Sequence, residues 1–149
     1  MRFLSCVFLG ALIASPAVTQ TAERIDEILD QEELTAGAAA YIAAASGNVV
    51  SDSADSAEAL DALAELGFPS DAVSANEPVR LDQFSYMLML AHDRSGGMFY
   101  TLFPGPRYAL RELEYERVIR GGGDPNDTLT PTRGLRFVAR LTNIMDTEG

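Results

Sequence analysis

Apolar residues recur every three or four positions in three stretches of the chain, which is the spacing of one buried helical face. Charged and small residues fill the positions between them. The apolar positions are Ile25, Ile28 and Leu29 in the first stretch, Leu60, Leu63 and Leu66 in the second, and Leu110 and Leu113 in the third. Each stretch therefore predicts an amphipathic helix.

A second helical stretch follows each amphipathic one. These second stretches begin near Thr35, near Val79 and near Thr132. Pro78 and Pro131 directly precede the last two, and proline at this place favours the start of a helix because its φ is already helical. The stretch that ends at Ala91 is apolar nearly all round, which predicts the most buried helix of the chain.

The pairs of stretches form a weak internal repeat, with copies at about 22–46, 57–92 and 107–142. Connectors rich in Gly, Pro, Asn and Asp separate the two helices of copies two and three. Because these residues favour turns, we expect each connector to end the first helix. We therefore expect a single all-α domain, in which three helix pairs pack around a common core. The residues predicted to lie in that core are Leu63, Phe84, Leu88, Leu113 and Phe137.

Copies two and three carry a more specific pattern. In copy two a helix ends in Gly67-Phe68, a turn follows, and Pro78-Val79-Arg80 leads into the second helix. In copy three the corresponding segments are the Gly/Asp/Pro/Asn turn after Ile119 and Thr130-Pro131-Thr132-Arg133. This pattern resembles S-layer homology repeats, and copy one matches it only in its helices. The resemblance implies three repeats around a pseudo-threefold axis and attachment to cell-wall glycan.

The N-terminus has the pattern of a secretory signal peptide. Met1-Arg2 is followed by an apolar run from Phe3 to Ala14, which is too short to span a membrane, and then by small residues at Ser15-Pro16-Ala17. We expect cleavage after Ala17, leaving a mature domain of residues 18–149 that is exported to the periplasm or cell surface. The mature chain would then lack Cys6, which is the only cysteine, and would have no transmembrane span. The alternative is a buried N-terminal helix of the mature fold.

Charge is unevenly distributed along the chain, whose formal net charge is −11. Residues 18–79 contain thirteen carboxylates and a single arginine, whereas residues 80–149 contain nine of each. Binding to the phosphates of nucleic acid requires a net basic face, so nucleic acid is not an expected partner.

Arg80 and Arg133 are the candidate ligand-binding residues, because both stand near the start of a predicted second helix. A guanidinium can bind a carboxylate or phosphate through two parallel hydrogen bonds, and the start of a helix also attracts anions. The competing interpretation is that each arginine pairs with an acidic residue of a neighbouring repeat and fastens the repeats together.

Other candidate chemistry is weak. The run Asp124-Pro125-Asn126-Asp127 lacks the Gly and Glu that an EF-hand needs at its sixth and twelfth positions, so it predicts a turn and no metal site. His92 is followed by Asp93 and Arg94, but no serine elbow, pair of carboxylates or cluster of metal ligands accompanies it. Gly121-Gly122-Gly123 ends a helix and is not followed by the lysine of a phosphate loop. We expect no cofactor and no enzyme activity.

Residues 96–108 form the least ordinary segment, an aromatic stretch bounded by glycine and proline. It predicts a long loop that presents anchors for a protein partner, because exposed aromatic and arginine side chains dominate many interfaces. The candidate anchors are Met98, Phe99, Tyr100, Phe103 and Arg107. The competing interpretation is a lid that folds back onto the core. The sequence thus predicts an exported, non-catalytic envelope protein that binds cell-wall glycan or, alternatively, a protein of a periplasmic assembly.

Overall fold

The computed structural model describes residues 16–149, and the N-terminal run on which the signal-peptide prediction rests, residues 1–15, lies outside this range. The described residues form helices and no strand, which confirms the all-α class. One 3₁₀ turn at Ser70–Ala72 interrupts a connector. The helices are α1 (Pro16–Leu29), α2 (Ala36–Ser46), α3 (Ser56–Glu65), α4 (Leu81–Ala91), α5 (Met98–Leu102), α6 (Pro106–Tyr115) and α7 (Pro131–Glu148).

Short polar side chains and prolines fix where the helices start. The Thr35 hydroxyl accepts the N–H of Ala38 at 3.3 Å, and the Asp55 carboxylate accepts that of Glu58 at 2.8 Å. Thr130 caps α7 in the same way, with Pro131 as its first residue. These contacts satisfy backbone donors that the first turn of a helix leaves unpaired.

The two central helices are α2 and α4. In each of them nine of the 11 residues are buried. The second helix of copy two is thus as buried as any helix described, as predicted, but the prediction missed that the alanine-rich α2 is buried to the same degree. Small side chains let α2 approach its neighbours closely: a Cβ on Gly47 would lie 2.1 Å from the carbonyl oxygen of Ala91. The C-terminal ends of α2 and α4 are thus in backbone contact.

Three extended residues meet in the centre of the molecule. Leu34 directly precedes the N-cap residue of α2, Val79 that of α4, and Leu129 that of α7. All three are buried. The Leu34 N–H donates to the Leu129 carbonyl at 2.6 Å, and the Val79 N–H donates to the Leu34 carbonyl at 2.8 Å. These hydrogen bonds hold the starts of the three helices side by side.

The remaining helices pack around this centre. Helix α2 packs on α3, α4 packs on α6, and α7 contacts α1, so each second helix of a predicted pair meets the first helix of another pair. The predicted core residues Leu63, Phe84, Leu88, Leu113 and Phe137 are all buried, with exposed fractions of 3% or less. This part of the core prediction is confirmed.

The predicted long loop at residues 96–108 is wrong, because the segment contains α5 and the first turn of α6. Gly96-Gly97 and Pro104-Gly105-Pro106 interrupt the helical path on either side, and the five residues between them form a short helix. In the part of the chain that the structure describes, no helix is both long and apolar enough to cross a membrane.

Candidate functional site

Arg80 is the N-cap residue of α4, and its side chain forms an ion pair with Asp82 of the same helix. Its Nε donates to Oδ1 of Asp82 at 3.1 Å, and a terminal nitrogen donates to Oδ2 at 3.0 Å. Asp82 is buried, whereas the Arg80 side chain is 42% exposed. The suggested pairing with an acid of a neighbouring repeat is therefore wrong for Arg80, since the sequence separation of two residues already places the two charges in contact.

A cleft of about 250 Å³ lies beside Arg80, between the starts of α2 and α4 and the connector that contains the 3₁₀ turn. It brings together residues from copies one and two, which the sequence separates. Its lining residues are Ala36, Ala72, Val73, Ser74, Glu77, Pro78, Arg80 and Gln83. The cleft therefore offers one cation, one carboxylate and several neutral hydrogen-bonding groups.

Arg133 lies elsewhere. It is the third residue of α7, and its guanidinium carbon is 5.5 Å from the centroid of the Phe137 ring, one turn further along. The predicted equivalence of Arg80 and Arg133 is wrong, because Arg80 is the N-cap residue of α4, whereas Arg133 lies three residues after Thr130, the N-cap residue of α7. The residue of α7 that corresponds to Arg80 is Thr130.

The turn at residues 124–127 uses its polar atoms for its own conformation. The Asn126 N–H donates to the Asp124 carboxylate at 2.8 Å, and the Asp124 N–H donates to the Asp127 carboxylate at 3.2 Å. The carbonyl groups of Pro125 and Asp127 accept N–H groups at the start of α4. The segment is a turn, as predicted. No group of three His, Cys, Asp or Glu residues in the described chain is placed to hold a metal ion.

The α5 face, which we define as the side chains of Met98, Phe99, Leu102 and Phe103, is exposed. The four exposed fractions lie between 59% and 68%. Phe99 stacks on Tyr108 of α6 with ring centroids 6.2 Å apart, and Phe103 lies 6.4 Å from the same ring. The predicted anchors Met98, Phe99, Phe103 and Arg107 are thus at the surface. Leu102 belongs with them and was missed by the sequence analysis.

Tyr100 lies on the opposite side of α5 and is buried, which corrects its assignment as a surface anchor. Its ring lies edge-on to that of Tyr86 in α4, with centroids 6.3 Å apart. Burial, with a smaller contribution from Tyr86, raises the pKa of Tyr100 to about 12. The lid interpretation therefore holds for this one side chain, and Tyr100 attaches α5 to the core.

The structure also brings together Ser46 and His92, a pair that the sequence analysis did not detect. The Ser46 hydroxyl oxygen lies 3.0 Å from Nε2 of His92, at the rim of a cleft of about 390 Å³ between the C-terminal ends of α2 and α4 and the end of α7. Burial, and then the charge of Arg94, lowers the pKa of His92. No local signal could reveal this pair, because the two residues belong to different helices.

The Ser46 hydroxyl also donates to the Ala43 carbonyl at 2.8 Å. A hydroxyl has one proton, so in this arrangement Nε2 of His92 carries hydrogen and donates to the serine oxygen. An imidazole in that state does not remove a proton from Ser46. This hydrogen bond joins the C-terminal end of α2 to that of α4.

No protein-family model matches the chain, and comparisons with curated proteins and with solved structures give no match.

Proposed function

We propose that the chain is a non-catalytic protein of the bacterial envelope, in which three helix pairs surround a common axis and bind cell-wall glycan. The pairs are α1 with α2, α3 with α4, and α6 with α7. Two features support a repeat of copies one and two. Helices α2 and α4 both have 11 residues. A residue with left-handed backbone follows each helix: Asn48 follows α2 with φ of 57°, and Asp93 follows α4 with φ of 47°. Both stand at the same number of residues after the N-cap residue of their helix.

The central contacts of Leu34, Val79 and Leu129 support the common axis. These residues occupy the same place relative to their three helices, and their backbones are joined by hydrogen bonds. The packing of α2 on α3, of α4 on α6 and of α7 on α1 follows one cyclic order. Such an order is expected of three repeats that share a core, as the resemblance to S-layer homology domains implies.

The observation that carries the glycan proposal is the exposed guanidinium of Arg80 at the cleft between copies one and two. Asp82 holds this side chain through two hydrogen bonds, which reduces the conformational entropy that a ligand must pay for. A guanidinium has five N–H donors, so others can bind an acidic group of a sugar. Glu77, Ser74 and Gln83 line the same cleft and can bind hydroxyls. The expected ligand is an anionic, hydroxyl-rich wall polymer.

The experiment measures binding of the protein to purified, protein-free cell-wall sacculi as salt is varied. We expect Arg80→Gln to weaken binding about tenfold or more, because hydrogen bonds to charged groups contribute about 1.5–3 kcal/mol. Arg80→Lys keeps the charge but loses the planar two-point fit, so its binding should lie between those of wild type and Arg80→Gln. Binding should also weaken as salt rises, since charges at the surface are screened over about 8 Å.

Two controls separate binding from folding. Asp82→Asn removes the intramolecular partner but leaves Arg80 in place, so sacculus binding should weaken less than in Arg80→Gln, by the loss of pre-ordering alone. The Arg80→Gln/Asp82→Asn double variant should lose binding while avoiding an unpaired buried carboxylate. Arg133→Gln tests the second candidate arginine, and we expect a smaller effect because its guanidinium lies over Phe137. The proposal fails if wild type does not bind sacculi at low salt, or if Asp82→Asn and Arg80→Gln weaken binding equally.

Export is part of the proposal and rests on the N-terminal sequence. The experiment is N-terminal sequencing of the protein recovered from a native cell envelope. We expect a start near Val18, directly after Ser15-Pro16-Ala17. Recovery of intact Met1, or of a lipid-modified Cys6, would show that this processing step does not occur.

A further inference from the structure

Helix α5 exposes its most apolar side to the surroundings, whereas a helix at the surface usually buries that side. Met98, Phe99, Leu102 and Phe103 follow the spacing that places residues on one side of a helix. All four are exposed, whereas Tyr100 on the other side is buried against Tyr86. The apolar face is therefore presented to the surroundings by a helix that is firmly attached to the core.

Positive charge accompanies this face in a chain that is otherwise acidic. Residues 94–111 contain three arginines and no carboxylate, although the chain carries a net charge of −11. Glu112 follows directly, and its carboxylate lies 3.2 Å from the Cβ position of Gly97, beside the start of α5. Arg94 is paired with Glu116 and Glu148. Arg107 and Arg111 are exposed on α6 and lie within one helical turn of Tyr108, which contacts both Phe99 and Phe103. Four apolar side chains, two arginines and one carboxylate thus lie together at one place on the surface.

We infer that this surface docks on an anionic phospholipid membrane. The α5 face enters the boundary between headgroups and acyl chains, and Arg107 and Arg111 contact lipid phosphates. Apolar side chains bordered by arginine are the composition that allows a helix to bind at the membrane interface. The arginine stems can lie along the apolar region while the guanidinium groups remain at the headgroups. The inference is independent of glycan binding, which uses the start of α4.

The size of the face favours lipid over a protein partner. A five-residue helix is about 7.5 Å long, whereas each side of a standard protein interface buries about 800 Å² from 20–30 residues. An interfacial membrane contact requires only a penetration of about 5–10 Å, which projecting side chains of this size can reach. The charge of the bordering arginines also complements lipid phosphates.

The net negative charge of the chain opposes this contact, but mainly at low salt. Surface charges more than about 8 Å apart are largely screened at physiological ionic strength. Arg107 and Arg111 lie on α6 close to Tyr108, so their attraction acts at short range, where the carboxylate of Glu112 offsets one of the two charges. Carboxylates further away are screened. We therefore expect membrane binding to persist at physiological salt.

The absence of tryptophan from the chain allows a direct test. Phe99→Trp introduces one tryptophan in the α5 face, and Tyr115→Trp introduces one at a matched exposed aromatic position on α6, 84% exposed and outside the α5 face. With vesicles of equal parts phosphatidylcholine and phosphatidylglycerol, emission of Phe99→Trp should shift to shorter wavelength and be quenched by brominated acyl chains. Emission of Tyr115→Trp should change much less, because this position lies two helical turns beyond Tyr108.

Vesicle co-sedimentation then measures which groups contribute. Phe99→Ser/Phe103→Ser should weaken binding roughly 100-fold, because two apolar side chains no longer leave water. Arg107→Gln/Arg111→Gln should weaken binding to the anionic vesicles about 30-fold and leave binding to pure phosphatidylcholine unchanged. Tyr115→Ser is the matched control and should bind as wild type does. All variants are expressed from the full sequence in the same host, and their N-termini are checked to be identical. The apolar run from Phe3 to Ala14 then cannot cause differences in vesicle binding.

Three results would overturn the inference. Wild type does not bind the anionic vesicles, or the Tyr115 variants respond as strongly as the Phe99 variants, or Phe99→Trp binds without a spectral shift. Folding of each variant is checked by its thermal unfolding, and the conservative Phe99→Trp keeps the test valid if a serine variant unfolds. If wild type does not bind vesicles, the α5 face is better explained as a binding site for a protein partner.

Discussion

Ser46 and His92 lie 3.0 Å apart at the adjoining ends of α2 and α4, although 46 positions separate them in the chain. The contact lies beside Gly47, where the backbones of the two helices meet. His92 is half-buried there, with Asp93 and Asp146 in the same cleft. This place joins the two most buried helices of the molecule.

The free energy of unfolding should depend on pH through His92. Burial, with a further contribution from Arg94, lowers the pKa of His92 below its ordinary value of 6.5, so the folded state disfavours the imidazolium. The unfolded chain takes up the proton first, and stability should fall as pH is lowered through 6.5, until the folded-state pKa is passed. Urea unfolding between about pH 8 and about pH 5 measures this slope.

The matched variant for this prediction is His92→Gln, which retains hydrogen-bonding capacity but does not titrate in this range. The difference in unfolding free energy between wild type and His92→Gln should shrink or change sign as the pH falls. The carboxylates are common to both proteins and cancel in this difference. Parallel stability curves for the two proteins across the range would contradict the prediction.

A second prediction concerns Arg94, which joins the ends of three helices. Its terminal nitrogens donate to Glu116 at 2.6 Å and to Glu148 at 2.8 Å. Arg94 and Glu116 are largely buried, at 17% and 16% exposure, whereas Glu148 is 57% exposed. Arg94→Gln should cost about 3 kcal/mol, because it leaves the Glu116 carboxylate desolvated and unpaired.

Chemical denaturation of matched variants tests this assignment. Glu148→Gln should cost under about 1 kcal/mol, as is usual for an exposed partner. The Arg94→Gln/Glu116→Gln double variant should recover part of the loss, because it removes the unpaired charge. An Arg94→Gln variant as stable as Glu148→Gln would show that the buried pair contributes little.

The third prediction concerns the aromatic core. Truncation of Phe84 or Phe137 to alanine should each cost about 3–5 kcal/mol, because both rings are buried and the surrounding helices cannot fully close the cavity. Phe103→Ala on the α5 face is the control, and its effect on folding should be within about 0.5 kcal/mol. Losses below about 1 kcal/mol at both core positions would contradict the packing described above.

The fourth prediction concerns the contact of α2 with α4 at Gly47. Gly47→Ala should cost about 3 kcal/mol, the upper end of the usual cost of overpacking, since the new Cβ would overlap the carbonyl group of Ala91, and a backbone atom cannot rotate away. Gly105→Ala is the matched control, because nothing lies within 4 Å of its Cβ position and its backbone is extended. It should cost less than about 1 kcal/mol. Equal thermal stability of the two variants would contradict the prediction.

Sequence pattern alone determined the helical class and the main buried positions. Helix formation depends on neighbours three and four residues apart, so the spacing of Leu60 and Leu63, or of Leu110 and Leu113, was sufficient to identify α3 and α6. The aromatic positions Phe84 and Phe137 also lie in the core as predicted. These assignments succeeded because they depend on local periodicity and on the large free energy of burying aromatic side chains.

The exact start of a helix was less accessible to sequence reasoning. Alignment of Arg80 with Arg133 placed the cap of α7 three residues late, because Arg80 caps α4 whereas Thr130 caps α7. The fold selects Thr130, since Leu129 directly before it is held by Leu34 in the centre of the molecule. A contact between residues far apart in the chain therefore decided a local boundary.

Only the tertiary structure decided which side chains of the α5 segment face the core and which residues meet across helices. Phe99 and Tyr100 are adjacent aromatics, yet Tyr100 is buried against Tyr86 and Phe99 is exposed beside Tyr108. Ser46 meets His92 for the same reason: the positions of whole helices fix these contacts. Those positions result from the packing of many residues at once, which no local periodicity records.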